Sequence, residues 1–218
     1  MGDCSELKQS SNKRIAKNTL MLYIRMFVMM GITLYTSRIV LQLLGVEDFG
    51  IYNVVGGIVV LFSFINGAMV TSTQRFLNFE LGRGDVDEAK KVFSSSLNIH
   101  LCVAVLFVVL AETIGLWFLN TYINIPVERS NAANLVYQFT ILTSVVNIIR
   151  APYNAAIIAY ERMAFYAYIS IIEAASKLSI VFMLLLFCDR LIAYSILVAL
   201  VTVVVMIIYI GYSRKQFQ

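Results

Sequence analysis

Long apolar stretches alternate with short polar connections along almost the whole chain. A bilayer core of about 30 Å requires about 20 mostly apolar residues per helix, and lipid forces each segment to satisfy its own backbone hydrogen bonds. The pattern therefore predicts an all-α membrane protein with six transmembrane helices in one bundle over residues 18–212. Their predicted ranges are 18–44, 50–79, 91–120, 130–160, 164–187 and 191–212. A basic N-terminal arm (1–17) precedes the bundle and a short tail (213–218) follows it.

The composition narrows the class of protein. Hydrophobic residues make up 60% and charged residues 14% of the 218 positions, against about 25% charged in a soluble domain, so no polar shell is left to assign. The basic residues form no stripe that would track a phosphate backbone, which argues against a nucleic-acid partner. With one histidine, no HExxH, GxSxG or GxGD motif and no metal-ligand spacing, we expect neither an enzyme nor a bound cofactor.

The connections predict an orientation and several helix ends. Eleven Lys and Arg residues fall on the side of the termini and only two, Arg129 and Arg190, on the other, so both termini are expected in the cytoplasm. Asp85 to Glu88 forms a capping box that should begin a helix. Gly45 and Gly50 bracket a tight turn between the first two helices, and Pro152 predicts a kink in the fourth.

Ionisable residues within the spans are costly, so they are expected to face the bundle or a wet cavity. Arg150 and Glu173 lie almost equal numbers of residues before and after the turn at Glu161, so the two helices of the hairpin place them at the same depth. Lys177 follows Glu173 by four positions and lies on the same helix face. The spacing therefore predicts an Arg150–Glu173–Lys177 cluster near the bilayer midplane with one net positive charge.

The same counting groups the other charged residues by depth. It places Arg25, Arg75 and His100 in the cytoplasmic half, and Arg38 and Glu112 in the outer half. Because Arg25 and Arg38 point about 140° apart on an ideal helix, they cannot line one narrow stripe.

Each charge has a structural interpretation as well as a functional one. Arg75 and Arg38 could snorkel to lipid headgroups, and the midplane cluster could simply join two helices. Alternatively, the surplus cations Arg25, Arg38, Arg75, Arg150 and Lys177 form a cavity for an anionic headgroup, because the planar guanidinium binds phosphate oxygens in pairs. Polar and small residues could line such a cavity, although helix packing is the favoured role of the glycines. These residues are Asn66, Gln74, Asn147, Gly56, Gly57 and Gly67.

Three passages of the chain resemble a known family. TSRIVLQLLGVEDFGIYNVVGGIV is similar to the passage between the first two helices of polysaccharide-exporting flippases of the multidrug/oligosaccharidyl-lipid/polysaccharide superfamily. QRFLNFELGRGDVDEAKKVFSSSL resembles the connection between their second and third helices. APYNAAIIAYERMAFYAYISIIEAASKL resembles their fourth and fifth helices. Taken together, the likeness spans residues 12–212.

The resemblance implies a function and partners. Such flippases move lipid-linked oligosaccharide precursors across the inner membrane by alternating access, between two lobes that enclose a cationic cavity suited to a pyrophosphate headgroup. Arg25 and Arg38 fall on the cavity-forming first helix and Arg75 ends the second, with Glu173 and Glu112 as charge-pair candidates. The coupling ion, if one is used, would be Na+ or H+.

The likeness covers only the N-terminal lobe of these flippases, so we expect a second six-helix lobe, either a missing C-terminal half or a second copy. The end of the chain after YSRKQF favours a fragment.

Two other functions remain open. One is a cation-coupled drug exporter of the same superfamily, which would favour unpaired acids in the membrane. The other is a structural or assembly membrane protein in which buried charges only pair helices.

Overall fold

A computed structural model describes the backbone of residues 2–123, 125–187 and 189–217. Side chains of residues 1–15, 17, 58–66, 127 and 216–217 are outside this description, and with them the side chains of Asn66 and of nearly all of the predicted basic arm. The described chain is helical almost throughout and contains no strand. Within it, five helices are long and apolar enough to cross a membrane.

The helices follow one another with short connections. They are α1 (Gly2–Arg83), α2 (Val86–Leu110), α3 (Leu116–Tyr122), α4 (Ser130–Ala159), α5 (Met163–Met183) and α6 (Arg190–Phe217). A five-residue π-helical segment, Ala111–Gly115, joins α2 to α3, and short 3-10 turns lie at Val127–Arg129 and Leu184–Leu186.

The first helix of the structure contains two predicted helices. Its backbone leaves the helical conformation only at Gly45, where φ is 81° and ψ is 170°, and this residue forms a kink between two helical segments. That conformation is essentially restricted to glycine, because a Cβ would clash with the backbone. The predicted non-helical turn over residues 45–49 is therefore wrong in its extent: one glycine makes the break, and the helix resumes at once.

Contacts on either side of Gly45 show that the chain reverses direction there. The carbonyl of Leu43 accepts a hydrogen bond from Arg190, at the start of α6. Arg25 instead contacts Tyr166 near the start of α5, and Leu77 packs with Ala156 near the end of α4. Residues near 45 therefore lie at one end of the molecule, and residues 25 and 77 lie toward the other.

The predicted helix start at Asp85 is confirmed, but only half of the capping box is present. The Asp85 carboxylate accepts a hydrogen bond of 3.0 Å from the amide of Glu88. The Asp85 amide donates to the carbonyl of Glu80, and the Glu88 carboxylate accepts from Lys91 instead.

Helix α2 then runs on through the π segment, where Tyr137 Oη donates a 2.8 Å hydrogen bond to the carbonyl of Ala111. The carbonyl of Ala111 already accepts a backbone hydrogen bond from the amide of Leu116, five positions later, as a π segment requires. The tyrosine from α4 therefore adds a second hydrogen bond to this carbonyl.

The core is built around α4, which packs against α1, α2 and α6. Tyr137, Val136 and Ala133 of this helix are fully buried, and Pro152 lies within it, also buried. The helices need not approach closely at the glycines, however. Among the described residues, a Cβ added at Gly56, Gly57 or Gly67 would meet nothing within 4 Å, so the predicted packing role of these glycines is wrong for this part of the chain.

Candidate functional site: a cationic cavity between α1, α4, α5 and α6

The centre of the site is a carboxylate held between two cations. Arg150 Nη1 lies 2.9 Å from Glu173 Oε2, and Lys177 Nζ lies 2.7 Å from Glu173 Oε1. The side chains of Arg150 and Glu173 are each 14% exposed and that of Lys177 is 35% exposed. The structure thus joins the three residues that helix spacing predicted to meet.

A cavity of about 400 Å³ opens beside this cluster. Its wall includes Arg25 from α1, Arg150 and Asn154 from α4, and Glu173 and Lys177 from α5, with further polar groups and tyrosines around them. Three cations face one carboxylate, so the lining carries a formal charge of +2. The hydroxyl-bearing residues of the lining are Thr33, Thr36, Ser37, Tyr166, Ser170, Tyr194 and Tyr209.

Aromatic rings hold the two guanidinium groups in place. Arg25 Nη2 donates a 3.1 Å hydrogen bond to Tyr166 Oη, and its guanidinium carbon lies 4.3 Å from the centre of that ring. The guanidinium carbon of Arg150 lies 5.5 Å from the ring centre of Tyr209. Such cation–π contacts stabilise a cation without neutralising it. Arg25 therefore keeps its charge available to a ligand, whereas Arg150 and Lys177 share the carboxylate of Glu173 and together keep one net positive charge.

Several polar atoms of the lining residues lack a hydrogen-bonding partner. Within the described part of the chain, Arg25 Nε, Arg150 Nε, Thr36 Oγ1 and Asn154 Oδ1 are buried without one. Buried polar groups in folded proteins are almost always hydrogen-bonded, so these atoms are exceptions. Their surface is almost inaccessible to a water-sized probe, so they lie behind the cavity wall rather than facing its interior.

The remaining predicted site residues lie elsewhere. Arg38 and Arg75 are exposed, and neither lines the cavity that contains Arg25. Glu112 Oε2 accepts a 3.2 Å hydrogen bond from Gln138, which supplies the neighbouring-helix partner that the sequence did not indicate. Residues predicted at the same depth in the membrane are therefore not always neighbours. Arg25 lines the same cavity as Arg150, whereas His100, which was predicted at the depth of Arg25, does not.

His100 lies in a separate polar contact between α1 and α2. Its Nδ1 is 2.8 Å from the carbonyl oxygen of Ser96, and the hydroxyl of Ser96 is 2.7 Å from that of Thr73. Asn147 is partly buried on α4 but does not line the cationic cavity, and Gln74 is not among its lining residues either.

Asn154 and Tyr166 were missed by the sequence analysis although a signal for each exists. Asn154 follows Arg150 by four positions and Tyr166 precedes Glu173 by seven, so both share a helix face with a predicted site residue. Neither side chain is charged at neutral pH, so the charge pattern of the sequence does not reveal them.

At the opposite end of the molecule, ion pairs join α1 to the connections that precede α4 and α6. Arg129 Nη2 lies 3.1 Å from Asp48 Oδ2 and Arg129 Nη1 lies 3.3 Å from Asp189 Oδ2. Asp48 is nearly buried, with 10% of its side chain exposed. Arg190 donates to the carbonyl of Leu43 with 2.8 Å between the heavy atoms. Both basic residues at this end are thus engaged within the protein.

No family model matches the chain, and no curated protein or solved structure is detectably similar to it. Within the described residues, no group of three or more His, Cys, Asp and Glu side chains could hold a metal ion. The fold therefore establishes a class, an all-helical protein with several helices long and apolar enough for a multi-pass membrane protein. The flippase resemblance stays a prediction.

Proposed function

We propose that this protein is a membrane transporter that moves lipid-linked oligosaccharide or polysaccharide precursors across the inner membrane by alternating access. The observation that carries the proposal is the cavity with a formal charge of +2, in which Arg25, Arg150 and Lys177 surround the single carboxylate of Glu173. A diphosphate offers several anionic acceptor oxygens, and guanidinium groups bind such oxygens with charge-assisted hydrogen bonds.

The position of the cavity supports a lipid-linked ligand. Arg25 lies on the first half of α1, most of whose apolar side chains are exposed, including Ile24, Phe27 and Met30. A headgroup could therefore occupy the charged cavity while its hydrocarbon chain remains outside the bundle, against lipid. One six-helix bundle would form one wall of such a pathway, and alternating access requires an opposing second lobe.

We also propose that the chain forms one N-terminal lobe of six helices with both termini in the cytoplasm. The reversal at Gly45 and the contacts at the two ends of the bundle support the antiparallel path. The excess of Lys and Arg on the side of the termini supports the orientation. The two basic residues on the other side, Arg129 and Arg190, are engaged by contacts within the protein. Single cysteines at Val46 and Lys215 in a cysteine-free chain should be labelled by an impermeant reagent from opposite sides of the membrane. Labelling from the same side would contradict the topology.

Binding can be measured with the full chain in lipid nanodiscs. We expect a polyprenyl diphosphate to bind at least about tenfold more tightly than the matching polyprenol, because charge-assisted hydrogen bonds contribute about 1.5–3 kcal/mol each. Arg25→Gln should remove most of this difference. Arg38→Gln is the matched control, because it makes the same change on the same helix outside the cavity. Equal binding of the two lipids, or equal effects of the two substitutions, would contradict the proposal.

The structural alternative rests on the same ion cluster, which could serve only to join α4 and α5. The double substitution Arg150→Met/Glu173→Met separates the two functions. If the folded double variant keeps the preference for the diphosphate, the cluster is structural; if it loses the preference, the cluster belongs to the site. A drug exporter coupled to a cation is less favoured, because Glu173 is engaged by two cations and Glu112 by Gln138.

Transport itself requires a second measurement. The assay uses proteoliposomes that contain a fluorescent lipid-linked saccharide and an impermeant quencher outside. Fluorescence should be quenched faster when the membrane contains the chain together with its second lobe, or with a second copy, than when it contains no protein. Binding without flipping in every such assembly would limit the function to recognition of the headgroup.

A further inference from the structure

A second basic cavity lies at the end of the molecule where α2 begins and where α4 and α6 end. Its volume is about 360 Å³, and it shares no lining residue with the cationic cavity described above. Lys90 from α2 and Arg214 from α6 bring two positive charges to it from separate helices. No acidic residue lines it among the described residues.

The two cations are available to a ligand. Lys90 Nζ lies 4.0 Å from Asp87 Oδ1, at the limit of an ion pair, and the side chain of Asp87 is 91% exposed. Such exposed pairs contribute little and are readily exchanged for another anion. Arg214 is exposed and forms no ion pair with the described residues. The Ser94 hydroxyl beside them is an additional hydrogen-bond donor.

The floor of the cavity is apolar. Leu77, Ala89 and Ala156 belong to one buried cluster and also line the cavity. Phe93 packs edge-on against Tyr153 above this floor, with ring centres 5.3 Å apart. A basic rim over an apolar floor matches an amphipathic ligand better than a free inorganic ion.

The location is that of a membrane interface. Tyr160 lines the cavity at the end of α4, and burial raises the pKa of its hydroxyl, which stays a neutral donor. At the same end, Phe165 stacks on Tyr212 with ring centres 3.6 Å apart. Aromatic residues gather at the headgroup level of bilayers, and basic pockets between helix ends bind anionic lipid headgroups.

We propose that this cavity binds the phosphate headgroup of an anionic phospholipid, through Lys90 and Arg214, with the glycerol region of the lipid over Leu77 and Ala156. The site is independent of the proposed transport function. It would hold a lipid of the surrounding leaflet where α1, α2, α4 and α6 meet, and so make the stability of that junction depend on lipid composition.

The full chain, purified in neutral detergent, can be mixed with equal amounts of phosphatidylglycerol and phosphatidylcholine and analysed by native mass spectrometry. We expect about tenfold more bound phosphatidylglycerol, since each basic residue near the surface attracts anionic lipid. Lys90→Gln/Arg214→Gln should abolish this preference. The control Lys91→Gln/Lys215→Gln removes the same charge from adjacent positions and should keep it. An equal loss in both would overturn the proposal.

Two further measurements test whether the lipid binds in this cavity and whether the ligand is a lipid rather than free phosphate. Ser94→Phe fills the cavity without changing the charge and should also reduce the bound phosphatidylglycerol. An unchanged preference in this variant, with an unchanged melting temperature, would overturn the proposed cavity. Inorganic phosphate at millimolar concentration should not displace the lipid; complete displacement would identify a free phosphate site instead.

Discussion

Arg150 and Glu173 meet across the α4–α5 hairpin, with Nη1 2.9 Å from Oε2, although 23 positions separate them in the chain. Lys177 binds the other oxygen of the same carboxylate. The three side chains therefore stabilise one another, and removing each one should lower the free energy of unfolding by a different amount.

Glu173→Met should be the most destabilising single change in the cluster, by about 3 kcal/mol, because it leaves two cations without their carboxylate. Arg150→Met should cost less, since Lys177 still compensates Glu173. Equilibrium unfolding of the full chain in mixed micelles measures both. The double variant Arg150→Met/Glu173→Met should recover part of the loss, and a strictly additive result would show that the two residues do not interact.

Gly45→Ala should destabilise the protein by about 1–3 kcal/mol, because φ of 81° with ψ of 170° is open only to glycine at low cost. Gly50→Ala provides the control. It lies five positions later within the helix, has open space for a Cβ, and should be neutral or stabilising by up to about 1 kcal/mol. Similar unfolding midpoints for the two variants would contradict the assigned backbone conformation.

Tyr137→Phe should cost about 0.5–1.5 kcal/mol, because it removes one of the two hydrogen bonds that the Ala111 carbonyl of the π segment accepts and leaves the backbone bond from Leu116. Hydrogen exchange should rise locally over residues 107–116. Tyr168→Phe changes an exposed tyrosine of α5 and should have no measurable effect. Equal protection of the π segment in wild type and Tyr137→Phe would show that the hydroxyl does not support it.

Arg129→Gln should destabilise the end of the molecule near Gly45 more than Asp189→Asn does. Losing Arg129 leaves the nearly buried Asp48 without a counter-charge, whereas losing Asp189 leaves Arg129 paired with Asp48. Because Arg129 is 38% exposed, solvent screening limits the expected cost to about 1–2 kcal/mol. The midpoint of thermal unfolding distinguishes the two variants, and the reverse order would show that Asp48 is stable alone.

The lengths of the apolar stretches were sufficient to predict most of the helical segments, and helix geometry was sufficient to predict the Arg150–Glu173–Lys177 contact. A helix repeats its face every three to four residues, and a tight hairpin fixes which depths meet, so both follow from counting along the sequence. The capping role of Asp85 was predictable for the same reason, since it depends on four consecutive residues.

Lateral neighbours could not be predicted in this way. The placement of Arg25 against Tyr166 depends on how α1 packs sideways on α5, and no count along one helix contains that information. The Asp48–Arg129 pair depends likewise on how α1 lies beside the turn that precedes α4. The break at Gly45 was predicted, but not that a single residue would be enough to make it.

The α4–α5 ion pair also bears on how the chain enters a membrane. A lone α4 would carry the Arg150 charge into hydrocarbon at a cost of about 2.5–3.5 kcal/mol on insertion scales, and a lone α5 would carry Glu173 at a similar cost. Entering together, the two helices can neutralise each other before either is surrounded by lipid. The connection between them spans only residues 160–162, with Glu161 at a positive φ of 56°. The hairpin, rather than the single helix, is therefore the natural unit of insertion during biosynthesis.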